Sequence, residues 1–288
     1  MSPSELILFF MKTSVILSVF AIGLEATFRD ISYFLRHSRQ FLLSFASIYL
    51  FVPLTAGIII LIFSDIHPAA KIAIFSLSVS PIPPLLPRKH LKTGGTLSYI
   101  IGLLVAMSLL AIIVVPLLVE IFSLAFNRPG GIFPSAVAQV VLSIILIPLA
   151  IGLIFRYLLP NIADKVARPI LSIGSVFLLF GSSFILFKAF PAIISLIGSG
   201  TIFAIILFVA IALAIGHTFG GPVPNDRTAL ALSTVSRHPG IALAIAGINF
   251  PDQKLSLAAV ILYLVISTIV TTIYLKIRQR SLQQPEKN

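Results

Sequence analysis

The sequence predicts an all-α integral membrane protein. Nine transmembrane helices fall in inverted repeats, helices 1–4 matching helices 6–9, with two crossing broken helices. Three observations carry that expectation. Of the 288 residues, 58% are hydrophobic and only 10% charged, with a mean hydropathy of +1.11; a soluble domain must keep a solvated face and does not reach such values. The apolar segments are long enough for helices and lack the strict alternation of barrel strands. Two of them are interrupted by the same pattern, Val79-Ser80-Pro81-Ile82-Pro83 and Val235-Ser236-Arg237-His238-Pro239, 156 residues apart.

The spans read in order as about 6–24, 40–63, 68–90, 95–124, 134–158, 167–189, 199–219, 226–250 and 254–278. No basic residue precedes the first apolar run, so it reads as a span and not as a signal peptide. The connections alternate in charge. One side carries Arg29, Arg36, Arg39, Arg88, Lys89, Lys92, Arg156, Lys165, Arg168, Arg227, Lys276, Arg278, Arg280 and Lys287; the other carries Lys71, Arg128, Lys188 and Lys254. The positive-inside rule then puts the N-terminus outside and the C-terminus in the cytoplasm of a cell (inner) membrane, as an odd number of spans requires. The same bias accounts for the net charge of +11 without nucleic acid. Cysteine is absent, which excludes disulfides and thiolate metal sites.

The breaks fall in helices 3 and 8. Five helices apart, the second copy crosses the membrane in the opposite sense, which makes the repeat inverted, with helix 5 as connector. Ser18-Val19-Phe20 recurs as Ser175-Val176-Phe177, and Leu97-Ser98 as Leu255-Ser256, at nearly the same offset. A proline inside a membrane helix frees backbone groups that lipid cannot satisfy, so such breaks persist only against protein or a water-filled cavity. Two of them at matching places point to a transport site near the bilayer midplane.

Each break ends one half-helix, whose carbonyls attract cations, and starts another, whose N–H groups attract anions. The second start is Pro239-Gly240-Ile241-Ala242; the first break is rigid, with Pro81, Pro83, Pro84 and Pro87. Arg237 is the most informative charge. An arginine at mid-bilayer needs partners, and all nine acids lie at or near span ends, so backbone carbonyls, hydroxyls or a bound anion remain. His238 reads as a pocket hydrogen-bonder or a proton-coupling group. Ser78, Ser80, Ser233, Thr234 and Ser236 flank the breaks and either face ligand or bond back to their helices. Lys12, inside helix 1, reads as snorkelling or as a contact to the anion. No metal-ligand cluster and no nucleophile–base motif points to an enzyme.

Phe20-Ala-Ile-Gly-Leu-Glu25 with the basic loop after it, the Ser80-Pro81 break and Ser236-Arg-His-Pro-Gly-Ile-Ala242 together resemble the bile acid:sodium symporter family, part of a superfamily that includes arsenite exporters. The resemblance covers nearly the whole chain. It implies a single membrane domain over 1–288, with a core (about 40–124 and 199–278) in which the broken helices cross and a panel (about 6–24 and 134–189). It also implies that the first of the family's usual ten helices has no counterpart here. In the family a glutamate and a Gln-Asn pair around the second break help bind sodium; Ser233, Arg237 and His238 stand at those positions. Where the family has small and polar residues after the first break, Pro83, Pro84, Leu85, Leu86 and Pro87 stand instead.

The reading is a secondary transporter of a small organic anion working by alternating access, with Arg237 replacing the coupling cation and no cofactor. The partners expected are the anion, the lipid bilayer and, as an option, a second copy. Two other readings stay open: a sodium-coupled symporter of bile-acid type, and a non-transporting membrane sensor or partner subunit.

Overall fold

The computed structural model describes residues 3–83, 96–125, 131–198 and 200–283, and contains helices and no strand among them. Among the described residues twelve helices follow one another: α1 (Pro3–Glu25), the short α2 (Phe28–Ile31) and α3 (Tyr33–Arg36), α4 (Ser38–Ile62), α5 (Pro68–Val79), α6 (Leu97–Ala125), α7 (Pro134–Leu158), α8 (Pro160–Ile194), α9 (Thr201–Phe219), α10 (Pro224–Val235), α11 (Pro239–Asn249) and α12 (Ser256–Gln283). Among the described residues seven spans are long and apolar enough to cross a membrane: α4, α6, α7, α8, α9, the α10–α11 pair and α12. Of the other two expected, α1 is a 23-residue helix and α5 is a 12-residue helix that stops at Val79. The expected continuation of α5 to 90 lies outside the described residues, as do Pro84, Pro87, the basic run at 88–92, Arg128 and Lys287.

Helix boundaries follow proline chemistry. Pro68, Pro134, Pro160, Pro224 and Pro239 each open a helix, where the missing N–H has no partner to lose. Inside α4 and α7 the backbone widens into a π-turn, Ser47–Phe51 and Val141–Leu146, and a proline follows each, Pro53 and Pro148. A π-turn accommodates the ring that would otherwise strike the preceding turn. Pro160 starts α8 early, so the span expected at 167–189 is a helix of 35 residues.

Lipid is as apolar as leucine, so helices in a membrane associate through close packing, which small residues permit. α1 and α7 meet at Gly23 and Gly152: a Cβ on Gly23 would sit 2.4 Å from the Leu149 carbonyl, and one on Gly152 2.4 Å from that of Phe20. α1 also lies along α8, where the Ser14 hydroxyl donates to the Gly174 carbonyl at 2.7 Å. α9 meets α10 just as tightly, with a Cβ on Gly216 falling 2.5 Å from Ala231 Cα.

One apolar cluster joins α4, α5, α9, α10, α11 and α12 with Ala189 and Ile193 near the end of α8; another joins α4, α5, α6, α7, α10 and α11. Smaller clusters hold α1 against α6 and α7, and against the start of α8 through Leu24, Ala163 and Ala167. In an apolar 18-residue stretch of each span, 72% of α10–α11 is buried against 11% of α8, so the second break runs through the middle of the bundle and α8 along its outside.

Candidate functional site

α10 ends at Val235, residues 236–238 are extended, and α11 restarts at Pro239. α5 ends at Val79 with Ser80 extended and Pro81 next. The two breaks meet: the His238 N–H donates to the Pro81 carbonyl at 2.9 Å. α5 also packs along α11 and α12. The arrangement is best read by asking where each carbonyl orphaned by a proline finds its hydrogen.

Val235 would bond the N–H of residue 239, a proline; its carbonyl takes the Tyr263 hydroxyl at 2.7 Å instead. Leu77 would bond residue 81, also a proline; its carbonyl takes the Ser80 N–H at 3.1 Å. Thr234 loses its helical partner because the His238 N–H has turned to Pro81, and the Ser80 carbonyl lies past the end of α5, on extended backbone outside the helical ladder. In the π-turn of α4 the Val52 N–H bonds Ser47, so the next link would run from residue 53 to Ile48, and residue 53 is a proline.

These last three carbonyls are gathered by one side chain. The Arg237 guanidinium donates Nε–H to Thr234 at 3.1 Å, Nη1–H to Ser80 at 3.0 Å and Nη2–H to Ile48 at 3.1 Å. Arg237 is 1% exposed. A charge this deep is costly unless it is hydrogen-bonded, and three carbonyl dipoles from three segments supply that. Tyr49 and Tyr263 close the surroundings, both buried, with Tyr49 donating to the Met107 carbonyl at 2.6 Å.

His238 caps the restart. Its Nδ1 accepts the Ile241 N–H at 3.4 Å, which leaves the ring proton on Nε2. Gly240 is exposed beside it, and Pro239, Ser236 and Pro83 are half-buried. Four flanking hydroxyls turn to carbonyls: Ser78 to Phe75 at 2.7 Å, Ser80 to Ser76 at 2.6 Å, Ser233 to Ala229 at 2.8 Å and Thr234 to Ala212 at 2.6 Å. They hold the helices that form the site. Lys12 is not brought here: it is exposed on α1, which packs against α7 and α8.

The residues that sequence reasoning missed are Ile48, Tyr49 and Tyr263. A signal existed for one of them. Pro53 inside an apolar run announces an orphaned carbonyl four or five residues back.

The family model described as Sodium Bile acid symporter family matches residues 8–197, which takes in the first break and stops before the second. Among curated proteins, the chain is similar to "Sodium/bile acid cotransporter 4" of Mus musculus, 26% identical over 248 residues, 82% of this chain and 56% of that protein. The chain thus spans about half the length of the curated relative it matches. An apolar helical bundle with meeting helix breaks and a family match over most of its length leads to one assignment: the chain belongs to the Sodium Bile acid symporter family, a family of membrane transporters and not of enzymes.

Proposed function

We propose that this protein is a secondary transporter of a small organic anion, working by alternating access, in which Arg237 occupies the place of a coupling cation. The proposal includes nine transmembrane helices in inverted repeats, with core and panel bodies, an N-terminus outside and a C-terminus in the cytoplasm. One observation carries it. A permanent positive charge sits at the crossing of the breaks, held by carbonyls of the kind that would otherwise attract a metal cation.

The consequence for sodium follows from Coulomb's law. Two unit charges ~4 Å apart at an effective dielectric of ~20 repel by about 4 kcal/mol. That weakens cation binding by roughly a thousandfold. Ser233, where the family carries a carboxylate, supplies no compensating charge and spends its hydroxyl on Ala229. The anion is offered the exposed start of α11 at Gly240, the positive end of a half-helix, with the Arg237 charge behind it. Two of the five guanidinium N–H groups remain beyond the three carbonyl bonds. The name of the mouse relative makes bile acids the first compounds to try.

The test begins with a thermal-shift screen of organic anions, taurocholate included, on purified protein in sodium and in choline buffer. An anion that stabilises the protein is then followed into proteoliposomes. The expected result is saturable flux that is unchanged when sodium is replaced by potassium or choline. A steep sodium dependence overturns the arginine-for-cation reading in favour of a sodium symporter. Stabilisation without flux overturns transport in favour of a sensor.

A further inference from the structure

Between α1 and α4, at the end of the bundle that carries the basic loops, α2 and α3 form a bent elbow with two unlike sides. Its inner side is seated on α6. Phe34 is buried in one cluster with Tyr99, Ile100 and Leu103, and Asp30, 6% exposed, accepts the Ser98 hydroxyl. At Gly102 the two backbones all but touch: a Cβ there would sit 2.9 Å from Tyr33 Cβ and 3.2 Å from the Asp30 carbonyl oxygen. That contact fixes the depth of the elbow. The apolar span of α6 has 28 residues, roughly 42 Å of helix, against a hydrocarbon layer of ~30 Å. Centred on that layer, α6 leaves about 6 Å at each end among the headgroups, and Gly102, roughly 7.5 Å in from Leu97, stands at the boundary.

The outer side carries a doubled pattern: Phe28-Arg29 recurs seven residues on as Leu35-Arg36. The Arg36 guanidinium donates to the Arg29 carbonyl at 2.6 Å, so the two copies are neighbours despite the bend at Ser32. Phe28 is 62% exposed and Leu35 88%; Arg29, Arg36 and Arg39, in the first turn of α4, are exposed with them. From α7 the exposed Tyr157 sets its ring edge-on to Phe28, centroids 6.2 Å apart, and extends the apolar strip. Between Ala26 and Gln40 the one acid in the sequence is Asp30, and it is turned inward. Apolar and cationic side chains therefore share one face, at the level where acyl chains meet headgroups.

We infer that this face binds anionic phospholipid, with Phe28 and Leu35 against the acyl chains and Arg29, Arg36 and Arg39 on the headgroup phosphates. Neither half of the pattern accounts for the other alone. A free phosphate is served by the guanidiniums and leaves Phe28 and Leu35 in water. A neutral lipid is served by the apolar pair and leaves three cations without a matching net charge. A partner with an apolar tail and a negative head uses both. Arginine suits that head, because its planar fork pairs with phosphate oxygens. Each cation at an anionic surface strengthens the attraction roughly fivefold. The elbow is held to α6 by its inner side and runs into α1 and α4 at its ends, so a bound lipid is tied to three helices at once.

The chain contains no tryptophan, so one introduced by Leu35→Trp reports from this face alone. The full chain is reconstituted in vesicles of phosphatidylcholine with phosphatidylglycerol, and either lipid is supplied in acyl-brominated form at the same mole fraction as a quencher. The expected emission is blue-shifted, quenched by both lipids, and quenched about twofold or more strongly by the phosphatidylglycerol. Leu61→Trp, an exposed position near the opposite end of α4, is expected to be quenched equally by the two. In the Leu35→Trp chain, Arg29→Gln with Arg36→Gln should remove the preference, and Arg36→Lys, which keeps the charge, should retain it. Arg39→Gln should reduce it part-way and serves in place of the double variant if that fails to fold. Water-like emission without quenching overturns the inference. So does equal quenching by the two lipids, a preference that survives these arginine-to-glutamine changes, or the same preference in Leu61→Trp. Inorganic phosphate added to vesicles of phosphatidylcholine alone should leave the emission unchanged; a phosphate-dependent shift there would assign the arginines to a free anion and overturn the lipid assignment. Quenching needs no transported compound, so its failure and the failure of the anion-transport reading are separate results.

Discussion

Removing the Arg237 side chain is the sharpest perturbation the crossing allows. In Arg237→Ala the carbonyls of Thr234, Ser80 and Ile48 lose their donors together, at a place where lipid and protein offer no replacement. A buried acceptor left unsatisfied costs about 1–3 kcal/mol, so the three sum to roughly 3–9 kcal/mol before water entry softens the loss. For a chain of this size each kcal/mol moves a melting midpoint by about 2 °C or slightly more, which predicts a fall of roughly 6–20 °C in detergent. The vacated space has the shape and polarity of a guanidinium. Low-millimolar N-methylguanidinium, far below denaturing levels, should refill it: at ten times its dissociation constant the gain is about 1.4 kcal/mol, or roughly 3 °C. The native protein should gain nothing. Arg237→Lys keeps the charge but not the fork of donors, and should recover part of the loss. An Arg237→Ala protein that melts within about 2 °C of the native one would refute the carbonyl accounting.

Other outcomes follow from single contacts. Tyr263→Phe strands the Val235 carbonyl beside Pro239 and should cost about 1–3 kcal/mol, read as a melting shift of a few degrees. Gly216→Ala drives a Cβ into the α10 backbone and should destabilise, whereas Gly247→Ala, with open space around it, should be neutral or slightly stabilising. Asp30→Asn should lower the melting midpoint at neutral pH. The native carboxyl titrates below its ordinary value of 3.8 when folded, so its contribution is complete well above pH 4 and disappears as pH falls through the folded value; the gap between the two proteins should close there. Single cysteines at Arg36 and Lys165 should react with an impermeant reagent from one side of the membrane and one at Lys254 from the other; a common side would break the span order.

Prolines and charges inside apolar runs made much of this architecture legible. Pro81 and Pro239 announced two helix ends, and Arg237 announced a buried charge in want of partners, because each breaks a rule that lipid enforces. The identity of the partners was not legible. Ile48 lies 189 residues from Arg237 in the chain, and the partnership depends on a π-turn that shifts the orphaned carbonyl by one residue. Hydroxyl direction was equally hidden: Ser78, Ser80 and Ser233 turn to their own helices, since a carbonyl one turn back is always within reach. Asp30 and Asp226 read as span-end acids and prove buried, because the start of α6 packs against both, with Ser98 on Asp30 and Thr96 on Asp226.

The length of α8 has a mechanical consequence. Its 35 residues extend roughly 52 Å, well past a hydrocarbon layer of ~30 Å. Near its start Ala163 and Ala167 are seated with Leu24 of α1, and near its end Ala189 and Ile193 are seated among α9 and α12. Between them it lies along α1, with Ser14 bonded to Gly174, so one long helix ties α1 to α12. A change in the packing of α1 is thereby coupled to α12 through a single continuous helix. Pro169 follows the first of these contacts and Pro191 falls within the last, and a proline inside a helix is where it bends.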